Sequence, residues 1–200
     1  MKVLVIGGNG LIGSSVVKEL AARHEVLVAG RHSGDFTCDI GNEESLRSMF
    51  AKTGKLDAIV VTTGNVHWEE LSKMNAAKYQ IGLNDKLMGQ VNTVLIGTAV
   101  LNPGGSFTLT SGILNCDPIK AGSSASMVNG ALDAFVKAAA IELPRGIRIN
   151  VVSPTVILEA MPKYAPFFRG YQPVPAAIAA LAFSKSVEGL QTGQIYRVGY

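Results

Sequence analysis

The residues best suited to chemistry stand at the front of the chain. Val3-Leu4-Val5-Ile6-Gly7-Gly8-Asn9-Gly10-Leu11-Ile12-Gly13 passes from an apolar strand through a glycine turn into an amphipathic helix. Gly7, Gly10 and Gly13 follow the spacing G-x-x-G-x-x-G. Such a turn needs glycine for its tight bend, for close approach of the backbone to a pyrophosphate, and for packing helix on strand. Asn9, Leu11 and Ile12 complete the turn, where the free N–H groups and positive dipole end of a helix suit phosphate. No Gly-Lys-Ser/Thr comes after it, so a Walker-type phosphate loop is excluded. A bare βα turn is the non-functional alternative. The order strand, glycine turn, helix favours a dinucleotide site.

The tip of the second strand should select the dinucleotide. NAD sites place an acid about 20 residues beyond the turn to hold the ribose 2′-OH. Here the strand ends Val28-Ala29-Gly30-Arg31-His32-Ser33, with no acid at the tip. Arg31 can stack on adenine and pair with a 2′-phosphate, Ser33 can donate to it, and His32 lies between them. Asp35, past the tip, offers a ribose contact instead. NADP(H) is expected in preference to NAD(H).

Elements that alternate along the chain must hold these groups. Strands are expected at Lys2–Ile6, Glu25–Ala29, Ala58–Thr62, Ser106–Leu109, Ile147–Val152 and Gln194–Val198. Several are apolar without alternation, as in the centre of a parallel sheet covered on both faces. Helices are expected at Leu11–Arg23, Glu43–Ala51, Ala76–Val100, Ser124–Leu143 and Pro175–Ser184, with Pro175 in a first turn and Asn42 as an N-cap. The alternation predicts right-handed crossovers and a Rossmann-type, doubly wound parallel sheet. No linker, repeat or low-complexity stretch divides residues 1–200, which read as one α/β domain.

Composition narrows the function classes. Hydrophobic residues make up 48% against 16% charged, which allows a buried core and excludes disorder. The net charge of +3 is dispersed, without the basic stripe of a nucleic-acid binder. No apolar run approaches the roughly 20 residues of a membrane span. The first apolar run stops at Gly7, short of the roughly 7–15 residues of a signal peptide's core. Cys38 and Cys116 suit a reduced, cytoplasmic setting, and no spacing of His, Cys, Asp or Glu suggests a metal. Small residues on the Ser124–Leu143 helix, from Gly130 to Ala140, allow close packing within the chain or a homo-oligomer (dimer or tetramer) interface.

Several of these segments together resemble the short-chain dehydrogenase/reductase family along nearly the whole chain. Asp39-Ile40 resembles its acidic, adenine-contacting pair. Val61-Thr62-Thr63-Gly64 stands where the family's fourth strand usually ends Asn-Asn-Ala-Gly, and Thr63 and Gly64 are expected at the cofactor. Thr110-Ser111 resembles the strand carrying the catalytic Ser, and Asn84 sits where the resemblance implies the catalytic Asn. Ile147 to Pro154 resembles the sixth strand, with Pro154 at the cofactor and Thr155 in place of the usual glycine. Thr192-Gly193-Gln194-Ile195 resembles the last strand.

The family's Tyr-x-x-x-Lys dyad is not matched. The resemblance aligns Ala125 with the tyrosine and Asn129 with the lysine. Ala125 has no proton to give; Asn129 retains a hydrogen bond for ribose but no charge. Positioned acid catalysis is worth about 10²–10⁴-fold, so another donor is needed or the chemistry is lost. Ser111, Ser124, Ser126, His67 and Lys86 are the candidates, although Lys86 reads more readily as a solvent-facing helix lysine than as a cleft residue. Met161, Tyr164, Phe167, Phe168 and Tyr171 suit a lid over an apolar ligand, or packing on the domain. Cys116 and Asp117 are expected at the pocket rim. Two functions are compatible with this pattern: an NADP(H)-dependent oxidoreductase of a small carbonyl substrate with a non-standard proton donor, or a cofactor-binding sensor or scaffold without chemistry.

Overall fold

A computed structural model describes residues 1–200. Seven parallel strands form one sheet, in the order β3-β2-β1-β4-β5-β6-β7. They are β1 (Lys2–Ile6), β2 (Glu25–Gly30), β3 (Phe36–Thr37), β4 (Leu56–Val61), β5 (Leu101–Thr110), β6 (Arg148–Pro154) and β7 (Ile195–Val198). The chain starts in the middle, at β1, winds outward through β2 and β3, then returns to β4 and runs to the other edge. That reversal beside β1 opens a crevice at the carboxyl ends of the strands, where sheets of this kind bind ligands.

Both faces of the sheet are covered, which explains why the central strands lack alternation. Leu4, Ile6, Ile59, Phe107 and Leu109 point into one core beneath α2 (Glu43–Thr53), α4 (Gly89–Gly97) and α5 (Ser123–Glu142). Val3, Val5, Ala58, Val60 and Val152 point into the other, with Val16 and Leu20 of α1 (Leu11–Ala21) and, beyond the short α6 (Met161–Tyr164), Phe183 and Val187 of α7 (Ala176–Glu188). Residues alternate between two covered faces, so Val3–Ile6 and Ala58–Val61 are apolar throughout, while β5 and β6 admit polar residues that find partners inside, Thr108, Thr110 and Asn150.

The helix expected over Ala76–Val100 differs most from its pattern. It begins as α3 (Ala76–Gly82), passes through a π-helical turn at Leu83–Met88 and resumes as α4. A π turn holds one residue more than an α turn and rotates the downstream helix around its axis. Asn42 caps α2 as expected, accepting from Ser45 N at 3.1 Å. Pro175 precedes the first turn of α7 with extended ψ of 143°, one position earlier than expected. On α5, Ala139 and Ala140 pack on the core, whereas Ala134 and Ala138 are exposed and a side chain at Gly130 would meet nothing within 4 Å. No helix is long and apolar enough to cross a membrane.

Candidate active site

The glycine turn is closed on itself. Gly7 N donates to Ala29 O at 2.7 Å and Gly10 N to Gly7 O at 2.9 Å. Gly7 has φ of +87°, and a side chain there would meet Thr62 Oγ1 and Thr63 Cβ at 2.9 Å. A side chain at Gly13 would fall on the Gly7 carbonyl. Helix α1 has Gly10 as its N-cap, without a side-chain cap and without an acid in its first turn. Its N–H groups are left for an anion, so the cradle fits the phosphates of a dinucleotide.

Asn9 Nδ2 donates to Ser33 Oγ at 2.8 Å, tying the turn to the loop after β2. Arg31 is exposed there and contacts Asp85 Oδ2 at 3.1 Å and Asp39 Oδ1 at 3.4 Å. His32 is also exposed. Asp35 is turned away: its Oδ2 accepts from Val28 N at 2.8 Å. Ile40 is buried and packs where Gly89 has no side chain.

Beyond β1 and β4 lies a cleft of about 290 Å³, mainly apolar. Leu11, Ile12, Gly64, Ser111, Asn129 and Pro154, each expected at the site, line it, together with Lys86 and Ala125. Ser111 is held there because both backbone groups of the preceding residue are pinned. Gln90, fully buried on α4, donates to Thr110 O at 3.0 Å and accepts from Thr110 N at 2.9 Å.

Lys86 projects from the π turn into the cleft. Its Nζ donates to Asn129 Oδ1 at 2.6 Å and to Ser111 O at 3.2 Å, while Asn129 Nδ2 donates to Gly112 O at 3.2 Å. Burial disfavours the ammonium and lowers its pKa to about 8; the negative charge of Asp133 opposes the shift. The residue before it, Asp85, faces the other way, binding Arg31 and accepting from Asn65 N at 2.8 Å. One turn of backbone therefore serves both ends of the groove.

Asn84 does not join this group. It is exposed and lines a separate depression with Arg31, Asp39 and Asp85, because residues two apart on a helical turn point to nearly opposite sides and it is Lys86 that faces the cleft. Ser124 is buried beneath Gly82, and neither it nor Ser126 and His67 is among the cleft walls. Cys116 lines a separate depression with Asp133 and Arg197 and is not among the cleft walls. Thr155 carries no sequence signal for a role, yet its hydroxyl is buried, unpartnered and in the cleft wall. Ser111 Oγ is likewise buried and unpartnered.

The lid region is aromatic and continuous. Trp68, Tyr164, Phe168 and Tyr171 stack in sequence at centroid distances of 6.0, 6.3 and 5.2 Å. Trp68, Tyr164 and Phe168 line the cleft, Met161 and Tyr171 pack on the core, and Phe167 is exposed.

A family model described as enoyl-(acyl carrier protein) reductase matches residues 6–186. The chain belongs to the short-chain dehydrogenase/reductase family. Among curated relatives, a short-chain dehydrogenase/reductase of Stachybotrys chlorohalonatus is 29% identical over 76% of this chain and 72% of its own. The crystal structure of the protein lin1944 from Listeria innocua superposes with a TM-score of 0.98 at 52% identity, covering 99% of both chains. A small-chain dehydrogenase solved in complex with NADPH has a TM-score of 0.88 at 26% identity, covering 99% of this chain and 96% of that one. Membership places the chain in an oxidoreductase family whose members use a nicotinamide dinucleotide.

Proposed function

We propose that this short-chain dehydrogenase/reductase reduces a small, largely apolar carbonyl compound with NADPH, and that Lys86 supplies the proton. The contact of Lys86 Nζ with Asn129 Oδ1 at 2.6 Å carries the proposal. By the family resemblance, residue 129 is the site of the catalytic lysine, and here a neutral Asn receives a cation from the opposite helix. The charge is retained while its backbone origin has moved.

The phosphates of the cofactor would be held by the N–H groups around Gly7, Gly10 and Gly13, its 2′-phosphate by Arg31 and Ser33, and its adenine by Asp39 and Ile40. Thr63, Gly64 and Pro154 would border the nicotinamide end, where the Thr155 and Ser111 hydroxyls are unpartnered. A bound NADPH supplies the hydride. Two of the three Lys86 N–H groups are held by Asn129 and the Ser111 carbonyl. The third is free for the oxyanion that forms on the substrate. An ammonium with a pKa near 8 is mostly protonated at neutral pH and transfers its proton readily, as an acid near the working pH should. Trp68, Tyr164 and Phe168 cover the apolar part of the substrate.

The test is NADPH consumption by the purified protein across carbonyl and quinone compounds, beside calorimetry with NADPH and NADH. Turnover with at least one compound is expected, and background rates throughout, with tight NADPH binding, would overturn the enzyme reading. The latter outcome would favour the second reading, a cofactor-dependent sensor or scaffold. That reading draws its support from Ala125, which presents only a methyl group to the cleft.

A further inference from the structure

One buried ionisable group remains unused by this scheme. Asp133 lies on α5 one turn beyond Asn129 and two beyond Ala125, and is 9% exposed. One of its oxygens is clamped. Asn115 Nδ2 donates to Asp133 Oδ2 at 2.5 Å and to Ser153 Oγ at 3.0 Å, which uses both of its N–H bonds. Ser153 Oγ meets Tyr200 OH at 2.5 Å, and Tyr200 OH donates to Asn115 Oδ1 at 3.3 Å. Asn115, Ser153 and Tyr200 thus close a ring in which each hydroxyl proton and both amide protons are committed.

The other oxygen, Asp133 Oδ1, is buried and has no partner, and neither has Ser111 Oγ. The Ser111 hydroxyl nevertheless acts on Asp133, holding its pKa down against the larger upward push of burial. Geometry brings the two residues near each other: Asn129, one turn before Asp133 on α5, is bonded through Nδ2 to the carbonyl of Gly112, the residue after Ser111. One orphaned atom has a rotatable proton and the other can only accept. The charges that face Asp133 are Lys86 from the π turn, Lys137 from α5 and Arg197 from β7. Asn115 and Cys116, which follow β5, line the same depression.

We propose that Asp133 is a positioning residue for the cleft: its carboxylate takes the Ser111 hydroxyl proton and provides the buried counter-charge for Lys86. The Ser111 rotor is then fixed with its lone pairs toward the cleft, leaving Lys86 the only proton donor to the reacting oxygen. No bond beyond a hydrogen bond is made or broken at Asp133 itself. This assignment rests on the oxidoreductase reading for its purpose, but its physical content is a coupling between side chains that exists without substrate.

The coupling is measurable in the full-length protein without turnover. With lysines labelled at ¹³Cε, the Lys86 signal is identified by its disappearance in Lys86→Arg and titrated by NMR. In Asp133→Asn its midpoint is expected to fall by about half a pH unit or more, and in Asp133→Glu to return most of the way. A folded Asp133→Asn protein whose Lys86 midpoint is unmoved overturns the proposal. Should Asp133→Asn not fold, Ser111→Ala with ¹³C-labelled aspartate decides. Loss of the hydroxyl must raise the Asp133 midpoint, and an unchanged midpoint overturns the pairing. Absence of turnover with every carbonyl compound would count against the oxidoreductase reading alone, since neither titration depends on it.

Discussion

The stem of Lys86 lies directly on the α-carbon of Gly64. A side chain added at Gly64 would meet Lys86 Cγ at 2.6 Å and Cβ at 2.9 Å, and Gly64 has φ of +144°. The glycine that ends the β4 loop is therefore the floor over which the cleft's cation enters. Gly64→Ala is expected to cost roughly 1–3 kcal/mol through its backbone conformation. It should also expel the ammonium from Asn129, so thermal unfolding and turnover fall together, while a glycine needed only for its turn would affect stability alone.

Lys86→Met separates catalysis from stability. Turnover is expected to fall about 10²–10⁴-fold, and in the wild type it should decline above pH 8 as the ammonium is lost. Stability moves the other way. The native pKa lies below the ordinary lysine value of 10.5, so between about pH 8 and 10.5 the unfolded chain holds more protons and native stability rises with pH. Below that window the native protein bears the whole cost of the buried charge. Lys86→Met should therefore unfold at a higher temperature than wild type at pH 7, with the difference shrinking toward pH 10.5. A lower melting temperature at pH 7 would contradict this.

Exchanging the two partners tests whether the charge or its origin matters. Asn129→Lys alone places a second ammonium within hydrogen-bond reach of the first, so it should destabilise the fold and weaken NADPH binding. Adding Lys86→Asn should recover part of both losses. A double-mutant cycle on melting temperature and NADPH affinity gives the coupling, and strict additivity would speak against the pairing.

At the other end of the groove, Arg31→Asp should weaken NADPH at least about tenfold, the worth of one lost charge-assisted pair, and leave NADH binding equal or better. Calorimetry with both dinucleotides checks it. Equal losses for the two would mean that Arg31 only ties Asp39 to Asp85.

Ala134 and Ala138 on α5 face outward, as does the bare α-carbon of Gly130. Sedimentation equilibrium is expected to find a dimer or tetramer, and Ala138→Arg to shift it toward the 21.0 kDa monomer. A monomeric wild type would assign these small residues to no interface.

The sheet and the glycine groove are legible in the sequence because each signal is local. Lys2–Ile6 ends where the strand ends, and Gly7 to Gly13 carry their own geometry. Asn42 is readable as a cap for the same reason. The features that escape depend on rotation and distance. The pattern of Ala76–Val100 reads as one continuous helix, and nothing in it announces the π turn from which Lys86 enters the cleft. Thr155 and Asp133 acquire meaning only once β6, β5 and α5 lie side by side. Cys116 lines another depression because sequence distance from Ser111 does not tell where a side chain points once the chain turns through Ile113–Asn115.

The π turn also makes the cleft sensitive to a count of residues instead of their kinds. An α-helix turns about 100° per residue. Removing one residue between Leu83 and Met88 would let the segment relax to an ordinary helix and swing one flank by that angle relative to the other. Asp85 and Lys86 could then no longer serve Arg31 and Asn129 at once. A single-codon deletion, with every named side chain still present, would uncouple the Arg31 end of the groove from the ammonium held at Asn129.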